Sequence, residues 1–296
     1  MTVDEHHFTE IKLKTEIENV AVGKSKHGYL VAASAGTHLD YLRVTFDPNR
    51  DEEGMLRIDH LGEGHRASNI TALCLQEDTV VTAHQDGHLF FDDQDLSLSE
   101  LQIKAVCSKA GLIFAVGEDG LLYEGTADLR SSLWKSRSVV SGFPLCSVAY
   151  NPLFSTAIVG TCVSVVCLVD VREEKPVARL PVVNSYHRFI AINHVDTLDH
   201  LVASSDDLGR VLLWDLRSAS GPLYAQKHQN VGSLCFHPLQ REHLLVTAAG
   251  KARLLMTSTG EELFQSSFAC SKAFMSDALA VASSKNTLHA WRLTLQ

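Results

Sequence analysis

The sequence predicts an all-β fold: seven consecutive four-stranded units closed into a ring, a seven-bladed β-propeller. Three observations carry that expectation. First, Gly, Ser and Asp interrupt the apolar runs before they grow long, and no window sustains the 3.6-residue period of an amphipathic helix. Second, His200 to Arg217 reads H-L-V-A-S-S-D-D-L-G-R-V-L-L-W-D-L-R, two apolar runs joined by a polar turn at Ser204 to Gly209, the pattern of a β-hairpin. Third, its marks recur. Asp170 and Asp215 lie 45 residues apart, Trp214 and Met256 42, Met256 and Trp291 35, and Asp86-Gly87 and Asp119-Gly120 33. A four-stranded blade takes about 40–45 residues, and shorter ones fit where loops are trimmed.

A second set of marks keeps the same phase. His200-Leu201-Val202-Ala203 and His243-Leu244-Leu245-Val246 lie 43 residues apart, and Ala149-Tyr150-Asn151-Pro152 and Cys235-Phe236-His237-Pro238 lie 86 apart, twice that spacing. Cutting on these marks gives units at about 17–65, 66–103, 104–137, 138–183, 184–226, 227–267 and 268–296, one domain in all. The first carries a long acidic connection, Asp47 to Gly54. The last has room for only three strands. Residues 8–15, F-T-E-I-K-L-K-T, set apolar Ile11 and Leu13 among charged neighbours as an edge strand does, so they are expected to close the last blade and remove an open edge.

One stretch invites a different assignment. Val139 to Val169 carries no charged residue and is long enough to cross a bilayer. Pro144, Asn151-Pro152, Gly160 and scattered Ser and Thr break it up, which favours three short buried strands with two turns over one membrane helix.

Composition narrows the function classes. The 296 residues, 45% hydrophobic and 21% charged, have the balance of a soluble globular protein. A net charge of −9 and the lack of any Lys/Arg run argue against a nucleic-acid partner. Met1 to His7 has no basic segment followed by an apolar core, so no signal peptide is expected. The seven cysteines form no C-x-x-C pair, so neither a disulfide framework nor a zinc site is expected. Cys74, Cys107 and Cys235 open apolar runs and read as buried, reduced thiols of a cytosolic or nuclear protein.

With these residues in view, the chain resembles the WD-repeat proteins over nearly its whole length. In that family a His before the first strand, a Ser or Thr on the second, an Asp in the following turn and a Trp on the third form a buried hydrogen-bonded set. The resemblance implies such a set in blade five at His187, Ser204, Asp207 (or Asp206) and Trp214. In blade two it implies His65, Thr82 and Asp86, with Asp92 where Trp is expected, and in blade six His228 and Thr247, with Met256 at the Trp place. Blades one, three, four and seven are more degenerate. The role implied is structural, since a buried charge needs neighbours that satisfy it.

Within that family the chain is similar to the small propeller nucleoporins of the nuclear-pore outer ring. The likeness lies in the acidic loop, in Gly117-Glu118-Asp119-Gly120, in Trp214-Asp215-Leu216-Arg217, and in Phe236-His237-Pro238 followed by Glu242-His243-Leu244. The chain departs from them in being shorter, in lacking a long late insertion, and in having Ala249-Gly250-Lys251 where blade six would carry Asp-Gly. The resemblance implies a non-enzymatic scaffold at the nuclear envelope, partnered by outer-ring nucleoporins, with no cofactor, small-molecule substrate or membrane insertion. Otherwise a cytoplasmic or nuclear location is expected, not secretion. Trp214-Asp215-Leu216-Arg217 also resembles the signature by which some propellers join cullin-RING ubiquitin ligases. That implies the alternative of a substrate-recruiting adaptor, for such a ligase or for a protein arginine methyltransferase. The candidate partner-binding residues are Asp51, Glu52, Glu53 and Arg217.

No catalytic or metal-binding residue is expected. H-E-x-x-H and G-x-S-x-G are missing, and Gly62-Glu63-Gly64 lacks the third glycine and following helix of a phosphate cradle. Asp92-Asp93 and Asp206-Asp207 fall in or beside hairpin turns, where solvated carboxylates bond the local backbone. The recurring phase of His65, His187 and His228 points to structural pairing.

Overall fold

A computed structural model of the chain describes residues 2–46, 56–91, 94–126, 134–173, 176–181, 189–218 and 221–294. Among them the regular structure is all strand, in seven four-stranded antiparallel sheets. Blade one holds β2 (Asn19–Ser25), β3 (Gly28–Ala35), β4 (His38–Phe46) and β5 (Leu56–His65), with β1 (Thr2–Lys12) preceding it. Blade two holds β6 (Ile70–Gln76), β7 (Thr79–His84), β8 (His88–Phe91) and β9 (Gln94–Ser97). Blade three holds β10 (Ile103–Lys109), β11 (Leu112–Gly117), β12 (Leu121–Thr126) and β13 (Lys135–Ser138). Blade four holds β14 (Leu145–Asn151), β15 (Thr156–Thr161), β16 (Val165–Asp170) and β17 (Ala178–Pro181). Blade five holds β18 (Ile192–Leu198), β19 (Leu201–Asp206), β20 (Arg210–Asp215) and β21 (Tyr224–Lys227). Blade six holds β22 (Ser233–His237), β23 (Gln240–Ala248), β24 (Lys251–Met256) and β25 (Glu262–Gln265). Blade seven holds β26 (Lys272–Met275), β27 (Leu279–Ser284) and β28 (Thr287–Thr294).

The amino-terminal strand completes blade seven. β1 pairs antiparallel with β28, Phe8 opposite Trp291 and Lys12 opposite Thr287, with a register shift between Val3 and Phe8. It runs over Thr2–Lys12, earlier than the expected 8–15, because beyond Lys12 the chain leaves the ladder and crosses the β27–β28 turn. There the Leu13 and Ile17 amides donate to the Asn286 and Lys285 carbonyls at 2.7 and 2.6 Å, before the chain reaches blade one, where the Glu18 amide donates to the Ser34 carbonyl at 2.8 Å. Leu13 and Ile17 are thereby buried between blades seven and one.

The core lies between sheets. Among the described residues seven apolar clusters alternate with the seven sheets, one per seam, as in the Val81, Leu89, Ile103, Ile113 cluster between blades two and three. A second strand is covered on both faces, so it is buried along its whole length, as in Leu201 to Asp206, where Ser204, Ser205 and Asp206 are buried with the apolar residues. The uncharged stretch from Val139 to Val169 becomes β14, β15 and most of β16, and among the described residues no helix is long and apolar enough to cross a membrane. Each blade runs up and down. The first-to-second and third-to-fourth turns therefore emerge on one side of the disc, the turn face. The second-to-third turns and the blade-to-blade connections emerge on the other, the crossover face.

Candidate protein-interaction surface

The expected blade fastenings are built from partly different residues. In blade five Trp214 is buried on β20, 3% exposed, against Ile158, Val166, Val202 and Leu212. The turn carboxylate is Asp206, not the exposed Asp207. Asp206 Oδ1 accepts from the Leu208 and Arg210 amides at 3.0 and 2.9 Å, and Oδ2 pairs with Arg210 Nε at 2.7 Å. Asp207 instead accepts from the Ala191 amide and Asn193 Nδ2 at 3.2 and 2.6 Å, pinning the connection into the blade. Adjacent carboxylates on a strand end point to opposite sides, and only one can turn inward. Ser204 Oγ is buried without a hydrogen-bond partner among the described residues, and His187 lies outside them.

Blade two differs more. Thr82 Oγ1 meets His84 Nε2 at 2.8 Å, and His84 Nδ1 faces the Ser68 carbonyl at 3.1 Å. His84, two residues along the same strand, takes the place expected for His65. His65 ends β5 in blade one and faces His38, Nε2 to Nδ1 at 3.4 Å. Asp86 is exposed and accepts from the His88 amide at 3.4 Å, while Asp92 lies outside the described residues. In blade six Thr247 Oγ1 bonds Ser233 Oγ at 3.0 Å and donates to the Ser271 carbonyl at 3.2 Å. His228 does not join it: its Nε2 is buried without a partner among the described residues.

The first strands line a central channel. Its cavities of about 200 and 430 Å³ are bordered by Lys104, Cys146, His194, Lys272, and by Cys74, Cys107, Asp196 and Cys235. The three cysteines face this channel, and all seven thiols are free. Burial pushes Cys107 up to about 12, which keeps it an unreactive thiol. Asp196 is raised by burial too, yet both its oxygens are engaged, Oδ2 by the Phe236 amide of blade six at 2.7 Å and Oδ1 by the Thr197 amide at 2.8 Å. It is a brace between blades. These residues carry no motif spacing, so only the ring brings them together.

His194 yields a pH prediction. Burial, with Lys272 nearby, pushes its imidazole down to about 4. The unfolded chain protonates the ring near pH 6.5, so between about pH 4 and 6.5 the unfolded state binds more protons. The stability that His194 contributes is full above that window and is lost as pH falls through it. His84, His228, His237, His243 and His289 are lowered in the same sense, burial being the first cause each time. The thermal midpoint is expected to drop by several degrees from pH 7 to pH 5, with a shallower slope in His194→Gln. A midpoint flat over that range, measured by circular dichroism, contradicts the assignment.

On the turn face, blades four and five repeat one device. Arg172 Nη2 pairs with Asp170 Oδ2 at 2.6 Å, and Arg217 Nη2 with Asp215 Oδ2 at 2.6 Å. The paired arginine, through its hydrogen bonds, holds each carboxyl down at about 2. Arg217 borders a cavity of about 400 Å³ shared with Leu168, Arg179 and Trp214. Its guanidinium is exposed but already committed to Asp215, as Arg172 is to Asp170. Asp51, Glu52 and Glu53 lie outside the described residues.

Both faces expose apolar side chains: Leu153, Phe154, Val177, Leu223 and Leu239 stand on the turn face, and two touching rings stand on the crossover face. Phe143 and Phe189, on the connections into blades four and five, are 36% and 72% exposed, and their rings meet at 6.2 Å between centroids. Leu101, on the connection into blade three, and Leu208, in the β19–β20 turn, are exposed on the same side. Aromatic side chains, Phe included, are enriched in protein interfaces, and an exposed apolar patch marks a candidate contact site. Nothing local in the sequence marks these two phenylalanines, 46 residues apart, as neighbours.

No family model and no curated protein matches the chain. Among solved structures, one described as "Crystal Structure of Mitotic Checkpoint Complex" is similar with a TM-score of 0.74 at 12% identity, over 99% of this chain and 95% of that one. The likeness is one of fold. The fold is a populous one, with 1552 matching chains of solved structures, so a propeller's function has to be argued from its surface.

Proposed function

We propose that this propeller is a non-enzymatic protein-interaction scaffold, a structural subunit of the nuclear-pore outer ring. The observation that supports a scaffold is the contacting pair Phe143 and Phe189 on the crossover face of a rigid disc. The ring holds such sites in fixed relation, so a partner meets a preformed surface and loses little freedom in the propeller on binding. The nuclear-pore assignment is drawn from the resemblance in Gly117 to Gly120, in the blade-five Trp-Asp-Leu-Arg and in the blade-six His-Pro turn. Partners are then other outer-ring nucleoporins, and the location is the nuclear envelope.

Co-purification from a native lysate tests the assignment, and stoichiometric outer-ring nucleoporins are expected. Phe143→Glu with Phe189→Glu is expected to lower partner recovery at least tenfold with an unchanged circular dichroism spectrum, since hot-spot aromatics contribute about 2 kcal/mol or more. Undiminished recovery contradicts the crossover-face assignment. A second role, a substrate adaptor of a cullin-RING ligase or an arginine methyltransferase, is favoured by the Asp-x-Arg pair repeated on two adjacent blades. In that case Arg172→Glu with Arg217→Glu abolishes capture of the enzyme, and the phenylalanine variants leave it intact. Recovery of neither class of partner overturns both.

A further inference from the structure

Blade one gathers an unusual set of side chains on one face of its outer two strands. In β4, His38 and Asp40 are two residues apart and share a face. Their partners across the ladder are His65 and Glu63 of β5, so all four side chains stand on the same side. His60 belongs on the other side by parity with Glu63. A β-bulge changes that: Tyr41 pairs with Gly62 but Leu42 pairs with His60, leaving Leu61 as the extra residue. His60 is thereby returned to the face of Asp40.

One of the distances is that of a ligand shell, and the others are somewhat longer. His38 Nε2 lies 3.3 Å from Asp40 Oδ2 and 3.7 Å from Glu63 Oε2, and one ligand atom from each of the three falls within 4.8 Å of the others. Zinc–nitrogen and zinc–oxygen bonds of about 2.0–2.1 Å put neighbouring ligand atoms of a tetrahedron roughly 3.3 Å apart. The His38 side chain is 8% exposed and that of Asp40 5%, yet His38 Nε2 has no hydrogen-bond partner among the described residues. Its other nitrogen faces His65 Nε2 at 3.4 Å. His60 Nε2 holds the second oxygen of Asp40 at 2.9 Å. A buried nitrogen aimed at two carboxylates, with the outer atoms of the set already held, is how protein metal sites are built.

We infer that His38, Asp40 and Glu63 bind a divalent transition-metal cation of the zinc type, with His65 orienting His38 and His60 orienting Asp40. When the Nδ1 proton of His38 is donated to His65, the Nε2 lone pair faces the cation. Two carboxylates and two positive charges then cancel, so the buried Asp40 charge is compensated. A cavity of about 520 Å³ bordered by Asp40, His60 and Glu63 gives access and leaves room for water as a fourth ligand. Lys14 Nζ, on an exposed arm just after β1, contacts both Glu63 oxygens at 3.2 and 3.0 Å and competes with the cation. Imidazole with carboxylate suits zinc, whereas magnesium prefers an all-oxygen octahedron.

The test is calorimetric titration of Zn²⁺ into the chelator-treated full chain, with Mg²⁺ as control and the visible spectrum of the Co²⁺ form as a probe of geometry. One Zn²⁺ per chain at micromolar concentration is expected, with no Mg²⁺ heat and a tetrahedral Co²⁺ spectrum. Asp40→Asn and Glu63→Gln are expected to weaken zinc by more than about tenfold, and Lys14→Ala to tighten it. Glu63 and Lys14 are surface positions, so those two variants keep the test interpretable if Asp40→Asn fails to fold. The proposal is overturned if the wild-type chain shows no saturable zinc binding. It is equally overturned if Glu63→Gln binds as the wild type does, since the zinc then sits on other histidines.

Discussion

Deleting residues 1–12 is expected to abolish the cooperative thermal transition and leave the chain aggregated on gel filtration. The deletion removes β1, and with it the partner of β28 from Thr287 to Thr294. Blade seven is left with three strands and an open edge of unpaired amides and carbonyls, a template for pairing with other chains. The loss extends to the seam, because Leu13 and Ile17 are positioned by the same segment and pack with Val31, Leu42, Val281 and Leu288. The effect of opening a closed ring is comparable to the whole stability of an ordinary domain, about 5–15 kcal/mol. A peptide of residues 1–14 added in trans should restore the transition. A monomeric deletion variant melting within a few degrees of the full chain would show that the ring does not need this closure.

Trp214→Ala carries the largest expected effect of a single substitution, about 3–5 kcal/mol of destabilisation. The indole is buried between blades four and five, opposite Val202 across the ladder and packed on Ile158 and Leu212. Its removal leaves a cavity that a ring of rigid sheets cannot close up. Urea unfolding should show a lower midpoint with an unchanged slope. Partner binding should fall only as folded protein is lost. A fully folded Trp214→Ala variant that selectively loses a partner would instead place Trp214 in the interface, beside the Arg217 cavity.

The two variants probe features of unequal legibility. The closing strand was visible in the alternation of Ile11 and Leu13 and in a last repeat one strand short, both local patterns. Its range was not, since the chain turns at Leu13 to reach blade one, a tertiary demand. The blade-five hairpin was legible as a unit. The choice of Asp206 over Asp207 was not, because it depends on which of two adjacent carboxylates the strand end turns inward. Likewise His84 stands where His65 was expected in blade two. The two lie 19 residues apart, and only the ladder shows that His65 belongs to β5 and its partner His38.

Strand content, the repeat and the closed ring are legible in the order of the residues. Those follow from burial period and turn chemistry, which act over a few residues and leave their pattern in the order of the chain. Packing settles which distant side chains meet: Phe143 with Phe189 from two successive connections, Asp196 with the Phe236 amide of the next blade, and His38, Asp40, His60 and Glu63 on one face of blade one. His-x-Asp and His-x-x-Glu-x-His are in plain view as letters. Their convergence depends on the register of β4 against β5 and on one bulge at Leu61, and a one-residue slip in a sheet sends every side chain beyond it to the opposite face.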